Sequence, residues 1–197
     1  PLKDNLSLAS ELPVAGLHLD ALLASQECEF LANKQSPEQV LSIGVIDGRN
    51  IWKSDLTDRL DLIEPLAKIK GDNLWLAPTS SLLHVPIDLE TEDTLPPDIQ
   101  DWLAFGRQKI RELSVLATAL KNGREAVKEQ LQANRTSVAR RRQSSLITHE
   151  PTQRALQSND IHRVNRKTEH ARRAELQRQK LKLPDYPTTT IGSFPQT

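Results

Sequence analysis

Gly192 and Ser193 are the residues of this chain best placed to meet a ligand. They close the run Thr188-Thr189-Thr190-Ile191, whose β-branched side chains predict a strand. Pro195 blocks that strand's continuation. Glycine lets a ligand approach the backbone closely, and the Ser193 hydroxyl both donates and accepts hydrogen bonds. The chemistry suggested is capture of a small polar molecule by backbone and hydroxyl groups. The plain alternative is an ordinary strand exit following the linker Pro184-Asp185-Tyr186-Pro187.

Other residue types that do chemistry are scattered. His18, His84, His149, His162 and His170 show no His-x-Cys or His-x-x-x-His spacing, the patterns of a zinc site. His18, on a predicted strand, reads as a packed core histidine. His84, past the third predicted strand, reads either as packed or as lining a functional face. Cys28 reads as a half-buried helix residue. One cysteine excludes an internal disulfide and suits a reducing, cytoplasmic compartment. No Gly-rich phosphate loop, nucleophile elbow or catalytic carboxylate pair stands out. Asp20, Asp47 and Arg49 fall at predicted strand ends, where barrel active sites form.

The elements that would position these residues alternate. Residues 14–20 form a short apolar run closing on Asp20, followed by a predicted helix over 22–30. Val40 to Ile46 is a second buried run, stopped by the turn signal Asp47-Gly48-Arg49-Asn50. Asp55 is suited to cap a helix reaching Lys70, with Leu56, Leu60, Ile63, Leu66 and Ile69 at near-helical spacing. Pro65 argues for a kink or break in it. Leu74-Trp75-Leu76-Ala77 is a third strand, ended by Pro78. Apolar strands alternating with helices imply an α/β fold with a parallel sheet. A (β/α)8 barrel of about 250 residues has roughly 31 per unit, which the steps fit. A doubly wound sheet fits them as well. Residues 98–120 predict one helix, with Ile99, Trp102, Leu103, Gly106, Ile110, Leu113, Ala117 and Leu120 on a stripe that packs on the sheet.

The zero net charge hides a division. Residues 1–120 carry 10 Lys/Arg against 19 Asp/Glu, whereas residues 121–182 carry 16 against 6. The second segment has little apolar periodicity and reads as a solvated basic arm. Short helices are expected over 124–133 and 152–157, and a strongly charged one over 163–181. Arg140-Arg141-Arg142 is its sharpest cluster. Clustered cations suit phosphates, but no aromatic residue lies between 121 and 182 to stack a base, which argues against nucleic acid. Nothing approaches the roughly 18 consecutive apolar residues of a membrane span, and no signal-like run is present.

The string LPDYPTTTIGSFPQT resembles the opening of the catalytic domain in the cobalamin-independent methionine synthase family. VLSIGVIDGRNIWKSDL and LWLAPTSSLLHVPIDLETE followed by WLAF are similar to the last strands and final helix of that family's N-terminal barrel. The resemblance implies two (β/α)8 barrels and covers essentially the whole chain. Residues 1–122 would be the last three strand–helix units of the first barrel. Residues 123–183 would be a basic, helical interdomain linker, and residues 184–197 the start of the catalytic barrel. Ile191, Gly192 and Ser193 would contact the amino-acid moiety of homocysteine. The implied reaction moves a methyl group from 5-methyltetrahydropteroyltriglutamate to homocysteine, giving methionine. The implied cofactor is zinc, with its His, Cys, Glu and Cys ligands and the acid/base histidine outside this chain.

Further expectations rest on that resemblance. Ser80, at the end of the third strand here, stands where a strand end of the second barrel, of the type Asn-Pro-Asp-Cys-Gly-Leu, has a zinc-binding cysteine, and a neutral hydroxyl is a poor zinc ligand. The first barrel thus reads as a copy that lost its metal, with Asp20, Asp47 and Arg49 as structural or interdomain contacts. Some of Arg140–Arg142 would help attract the folate's polyanionic tail. Alone, the chain is expected to be inactive, to leave sheet edges open and to depend on the remainder of the enzyme. The alternative is a non-catalytic binding module with a basic arm for a nucleic-acid or protein partner.

Overall fold

The computed structural model describes residues 1–158, 166–188 and 192. Strands form at the three apolar runs: β1 (Gly16–Asp20), β2 (Val40–Ile46) and β3 (Leu74–Pro78). They pair in parallel in the order β1-β2-β3, with Leu17 opposite Leu41 and Leu41 opposite Leu74. Parallel neighbours require crossovers, supplied here by α2 (Ser25–Lys34) and α3 (Leu56–Lys70). A short helix, α1 (Leu6–Ser10), precedes β1. The observed architecture is therefore mixed α/β around a three-stranded parallel sheet.

β2 is the central strand, and Leu41, Ile43, Val45 and Ile46 are fully buried. They pack with Cys28 and Leu31 of α2 and with Leu60 and Ile63 of α3. Each such side chain contributes about 2 kcal/mol by leaving water. Asp55 caps α3 by accepting from the Asp58 N–H at 3.4 Å, and Gly71, with φ of 53°, ends it.

Several expectations are corrected. The predicted helix over 22–30 begins only at Ser25 and runs on to Lys34. The Asp20 carboxylate accepts from the N–H groups of Leu22 (2.9 Å) and Leu23 (3.2 Å) and holds that stretch as a turn. Pro65 does not break α3. It lies on the exposed face, as does Asp61 one turn before it, so the carbonyl that loses its partner can meet water. The single helix expected over 98–120 is two: α4 (Pro97–Trp102) and α5 (Gly106–Asn122). Between them the chain is extended. Lys53 N–H donates to the Trp102 carbonyl and Ala104 N–H to the Ile51 carbonyl, and Trp52 bridges Leu103.

The buried stripe of α5 is also displaced. It consists of Lys109, Glu112, Leu116 and Ala119, while Ile110 is 59% exposed. Ile110, Leu113, Ala117 and Leu120 line an apolar groove alongside Leu74, Trp75 and Leu76 of β3, and of these Leu113 and Leu120 also pack against the core as expected.

The basic segment is more structured than an arm. After a 3-10 turn at Arg124–Val127, α6 (Lys128–Gln143) extends ten residues beyond the expected end at 133. It contacts α3 and α4, and the compact unit runs from Pro1 to Ile147. A second unit, Thr148–Thr197, contains α7 (Glu150–Gln157) and α8 (His170–Leu181). Residues 163–165 of the helix expected over 163–181 lie outside the described residues, and residues 166–169 are not helical.

Gly44 marks the tightest approach in the sheet. A β-carbon there would lie 2.5 Å from the Thr79 Cα, a backbone atom that cannot swing away. Gly44→Ala is expected to cost about 1–3 kcal/mol through overpacking. Urea unfolding should show a lower midpoint with an unchanged slope; an unchanged midpoint would contradict this packing.

Candidate functional site

The carboxyl ends of the strands carry most of the polar groups that the sheet positions. β2 exits into Asp47-Gly48-Arg49-Asn50 and β3 into Thr79-Ser80. The two exits are tied together. Thr79 N–H donates to the Ile46 carbonyl at 2.8 Å, and Gly48 N–H donates to Thr79 Oγ1 at 3.1 Å. Asp47 accepts from the Arg49 N–H (2.8 Å) and from Asn50 Nδ2 (2.6 Å). The carboxylates of Asp20 and Asp47 thus shape turns, in keeping with their reading as structural contacts.

The segment that follows, residues 50–56, is gripped from three sides. The 102–104 stretch binds its backbone, as described above. From α5, Lys109 Nζ donates to the Trp52 carbonyl (3.2 Å) and Glu112 accepts from the Ser54 N–H (3.0 Å). From α6, Asn134 accepts from the Leu56 N–H (3.0 Å) and donates to the Ser54 carbonyl (2.9 Å). Lys109 is fully buried and Glu112 is 7% exposed. Burial pushes the Glu112 carboxyl up to about 7, against the Ser54 N–H bond and the attraction of Lys109. Burial lowers the Lys109 amine, with Glu112 and Asp47 opposing. One Glu112 oxygen, Oε2, has no hydrogen-bond partner.

Above this network lies a cleft of about 280 Å3, lined in part by Asp47, Asn50, Trp52, Lys53, Arg59 and Arg141. Arg141 stacks on the Trp52 ring, its guanidinium carbon 4.2 Å from the ring centre. The neighbouring arginines are engaged with acids of the same compact unit. Arg140 pairs with Asp98 and, at 3.7 Å, with Asp101. Arg142 reaches Asp55 at 3.2 Å and Asp58 at 3.6 Å. Arg124 holds Asp61 and Glu64 at 2.6 and 2.7 Å. The sharpest basic cluster is largely neutralised within this unit.

The residues predicted to bind homocysteine are only partly described. Ile191 and Ser193 lie outside the described residues, as does the end of the strand expected to carry them. Gly192 is exposed, with φ of 146°, a conformation that side-chain-bearing residues rarely adopt. His18 is not a packed core histidine: it is exposed, with Nδ1 2.9 Å from Ser42 Oγ. His84 is exposed too, in a 3-10 turn at Leu82–His84. Cys28 is fully rather than half buried, and burial pushes its thiol up to about 11, so it is a poor nucleophile.

Among the described residues no three His, Cys, Asp or Glu side chains converge to hold a metal. At the strand ends the Asp20 and Asp47 carboxylates are committed to turns, and Thr79 and Ser80 offer hydroxyls. Zinc, which favours thiolate and imidazole, does not fit this donor set.

The sequence reading missed Lys109, Glu112 and Asn134. The available signal was their spacing: Lys109, Glu112, Leu116 and Ala119 recur at helical period, but the two charged members disguise a buried stripe.

Comparison with known proteins finds similarity along the whole chain. Residues 1–71 match the family model of the cobalamin-independent synthase N-terminal domain. All 197 residues align at 45% identity with a 5-methyltetrahydropteroyltriglutamate–homocysteine methyltransferase of Saccharophagus degradans, covering 26% of that protein. A protein of the same description from Rhodopseudomonas palustris is 47% identical over 197 residues, which is 25% of its length. The chain thus spans about a quarter of the curated relatives it matches.

The raised Glu112 group makes stability depend on pH. The folded state binds its proton more tightly than the unfolded state, whose carboxyl titrates near 4.5. The favourable contribution is complete below about 4.5 and is lost as pH rises towards about 7, worth up to about 3 kcal/mol. Glu112→Gln, which keeps an acceptor for Ser54, should therefore gain on the parent between pH 5 and pH 8 in urea midpoint. A constant difference across that range would show that Glu112 does not titrate there.

Proposed function

We propose that this chain, whose residues 1–71 match the cobalamin-independent synthase N-terminal domain, is part of a methyltransferase of that family. That enzyme moves a methyl group from 5-methyltetrahydropteroyltriglutamate to homocysteine and so makes methionine. The observation that carries the reading is 45–47% identity along all 197 residues to two proteins so described. Such agreement along the whole chain is far more than a shared fold requires.

In this reading residues 1–122 are the last strand–helix units of a (β/α)8 barrel, and 123–183 are the interdomain linker. Residues 184–197 open the catalytic barrel. The apolar groove beside β3 supports the partial barrel, because it offers an edge strand and a helix face on which further units of the same kind would pack. Ile191, Gly192 and Ser193 bind the amino-acid moiety of homocysteine, with backbone groups and the Ser193 hydroxyl meeting its charged ends. Zinc serves the complete enzyme from ligands outside residues 1–197, and its chemistry is to hold the substrate sulfur as the nucleophilic thiolate. The enzyme works in the cytoplasm. No helix among the described residues is long and apolar enough to cross a membrane. Against the alternative of a basic interaction module stands the pairing of Arg124, Arg140 and Arg142 with acids of the chain itself.

Two measurements test this. In the complete polypeptide, Ser193→Ala should raise the KM for homocysteine about tenfold, the worth of one hydrogen bond to a charged group, and leave that for the folate unchanged. An unchanged homocysteine KM would remove Ser193 from the site. A polypeptide of residues 1–197, washed with chelator, should hold no stoichiometric zinc and transfer no methyl group. Zinc retained there would place metal ligands inside this chain.

A further inference from the structure

Arg59 and Arg141 share an unusual state. Both line the cleft beside the carboxyl end of β2, and both bury an Nε–H that has no hydrogen-bond acceptor. Neither guanidinium forms an ion pair among the described residues, although Arg140 and Arg142 on either side of Arg141 each hold two carboxylates. A buried donor without an acceptor costs about 1–3 kcal/mol, more when it is charged. Two such donors from different helices in one cleft are therefore not a surface accident. One belongs to α3 and the other to α6.

The acids of the same cleft do not compensate them. Asp47 is used by the Arg49 N–H and Asn50 Nδ2. Asp55 caps α3 and receives Arg142. Lys53, also in the cleft wall, is held by Asp101 at 3.1 Å. The charge left over is that of Arg59 and Arg141. Trp52 fixes the Arg141 guanidinium by stacking, so its planar donors are preorganised. A volume of about 280 Å3 accommodates a small polyatomic group with its waters.

We propose that this cleft is an oxyanion-binding site, in which Arg59 and Arg141 together take a phosphate or carboxylate group. Planar guanidinium donors match the paired oxygens of either group. The ligand meets the two guanidinium groups, whose charge no carboxylate of the cleft balances, and lies against both α3 and α6. It thereby stiffens the compact unit at the point where the basic segment joins it. The inference does not depend on the methyltransferase reading, since it uses only residues 47–142 and their contacts.

The test uses the complete polypeptide and two probes, inorganic phosphate and acetate. Binding is followed by calorimetry and by Trp52 fluorescence, defined as the signal lost in Trp52→Phe. Saturable phosphate binding that perturbs Trp52 is expected, weakened at least about tenfold in Arg59→Gln, because a charge-assisted hydrogen bond is lost. Arg141→Lys, which keeps the charge but not the planar fork, should weaken it as well and remains informative if Arg59→Gln fails to fold. Binding of phosphate but not acetate would assign the site to phosphoryl groups, and binding of both to oxyanions generally, carboxylates included. If neither probe binds, or if binding is equal in the parent and both variants, the proposal is overturned.

Discussion

The grip of α5 and α6 on residues 50–56 is the constraint around which this unit is assembled. Those residues are neither strand nor helix, so their backbone groups need partners that secondary structure does not provide. Lys109, Glu112 and Asn134 supply them from two helices, and the 102–104 stretch supplies the rest. The arrangement fixes the start of α3, orients Asp55 as its cap and sets the floor of the adjoining cleft. It also explains why a lysine and a glutamate occupy the buried stripe of an otherwise ordinary helix. Burying these charges is costly, and each is tolerated because the other lies one turn away and a backbone group meets it.

The same constraint explains the fate of the basic segment. By composition, α6 has little apolar surface to bury, chiefly Leu131 and Val138. Besides these, what draws it onto the unit is Asn134 on residues 54–56, Ser137 on the Asp101 carbonyl at 2.8 Å, and the ion pairs of Arg124 in the turn before it and of Arg142 in its last turn. Exposed ion pairs contribute little singly. Here they flank buried hydrogen bonds and select the side on which the helix lies. The acidic excess of residues 1–120 and the basic excess of residues 121–182 are in part the two halves of this single interface.

What could be read from the sequence divides along a physical line. β1, β2, β3 and α3 were legible because short apolar runs, the Asp47-Gly48 turn and the Asp55 cap act locally. The split between α4 and α5 was not, because Trp102, Leu103 and Ala104 exchange helical bonds for contacts with residues some fifty positions away. The α5 face was only partly assigned for the same reason, since Lys109 looks solvent-facing until its distant acceptors are known. Of the string proposed to bind homocysteine, Gly192 is described, with its φ of 146°, and its neighbours lie outside the described residues. Family resemblance, rather than spacing, carried the reading of that string.

The inclusion of α6 in the first unit bears on how the protein can be taken apart. Gly123, with its φ of 84° and open surroundings, looks like a natural seam, and a protease or a designer would choose it. Severing the chain there strips Leu56 and Ser54 of their Asn134 partner and exposes the underside of α3. The first compact unit runs to Ile147, so a cut after Ile147 leaves Asn134 with its partners. α6 is in this sense ballast for the first unit, a weight that any trimmed version must keep.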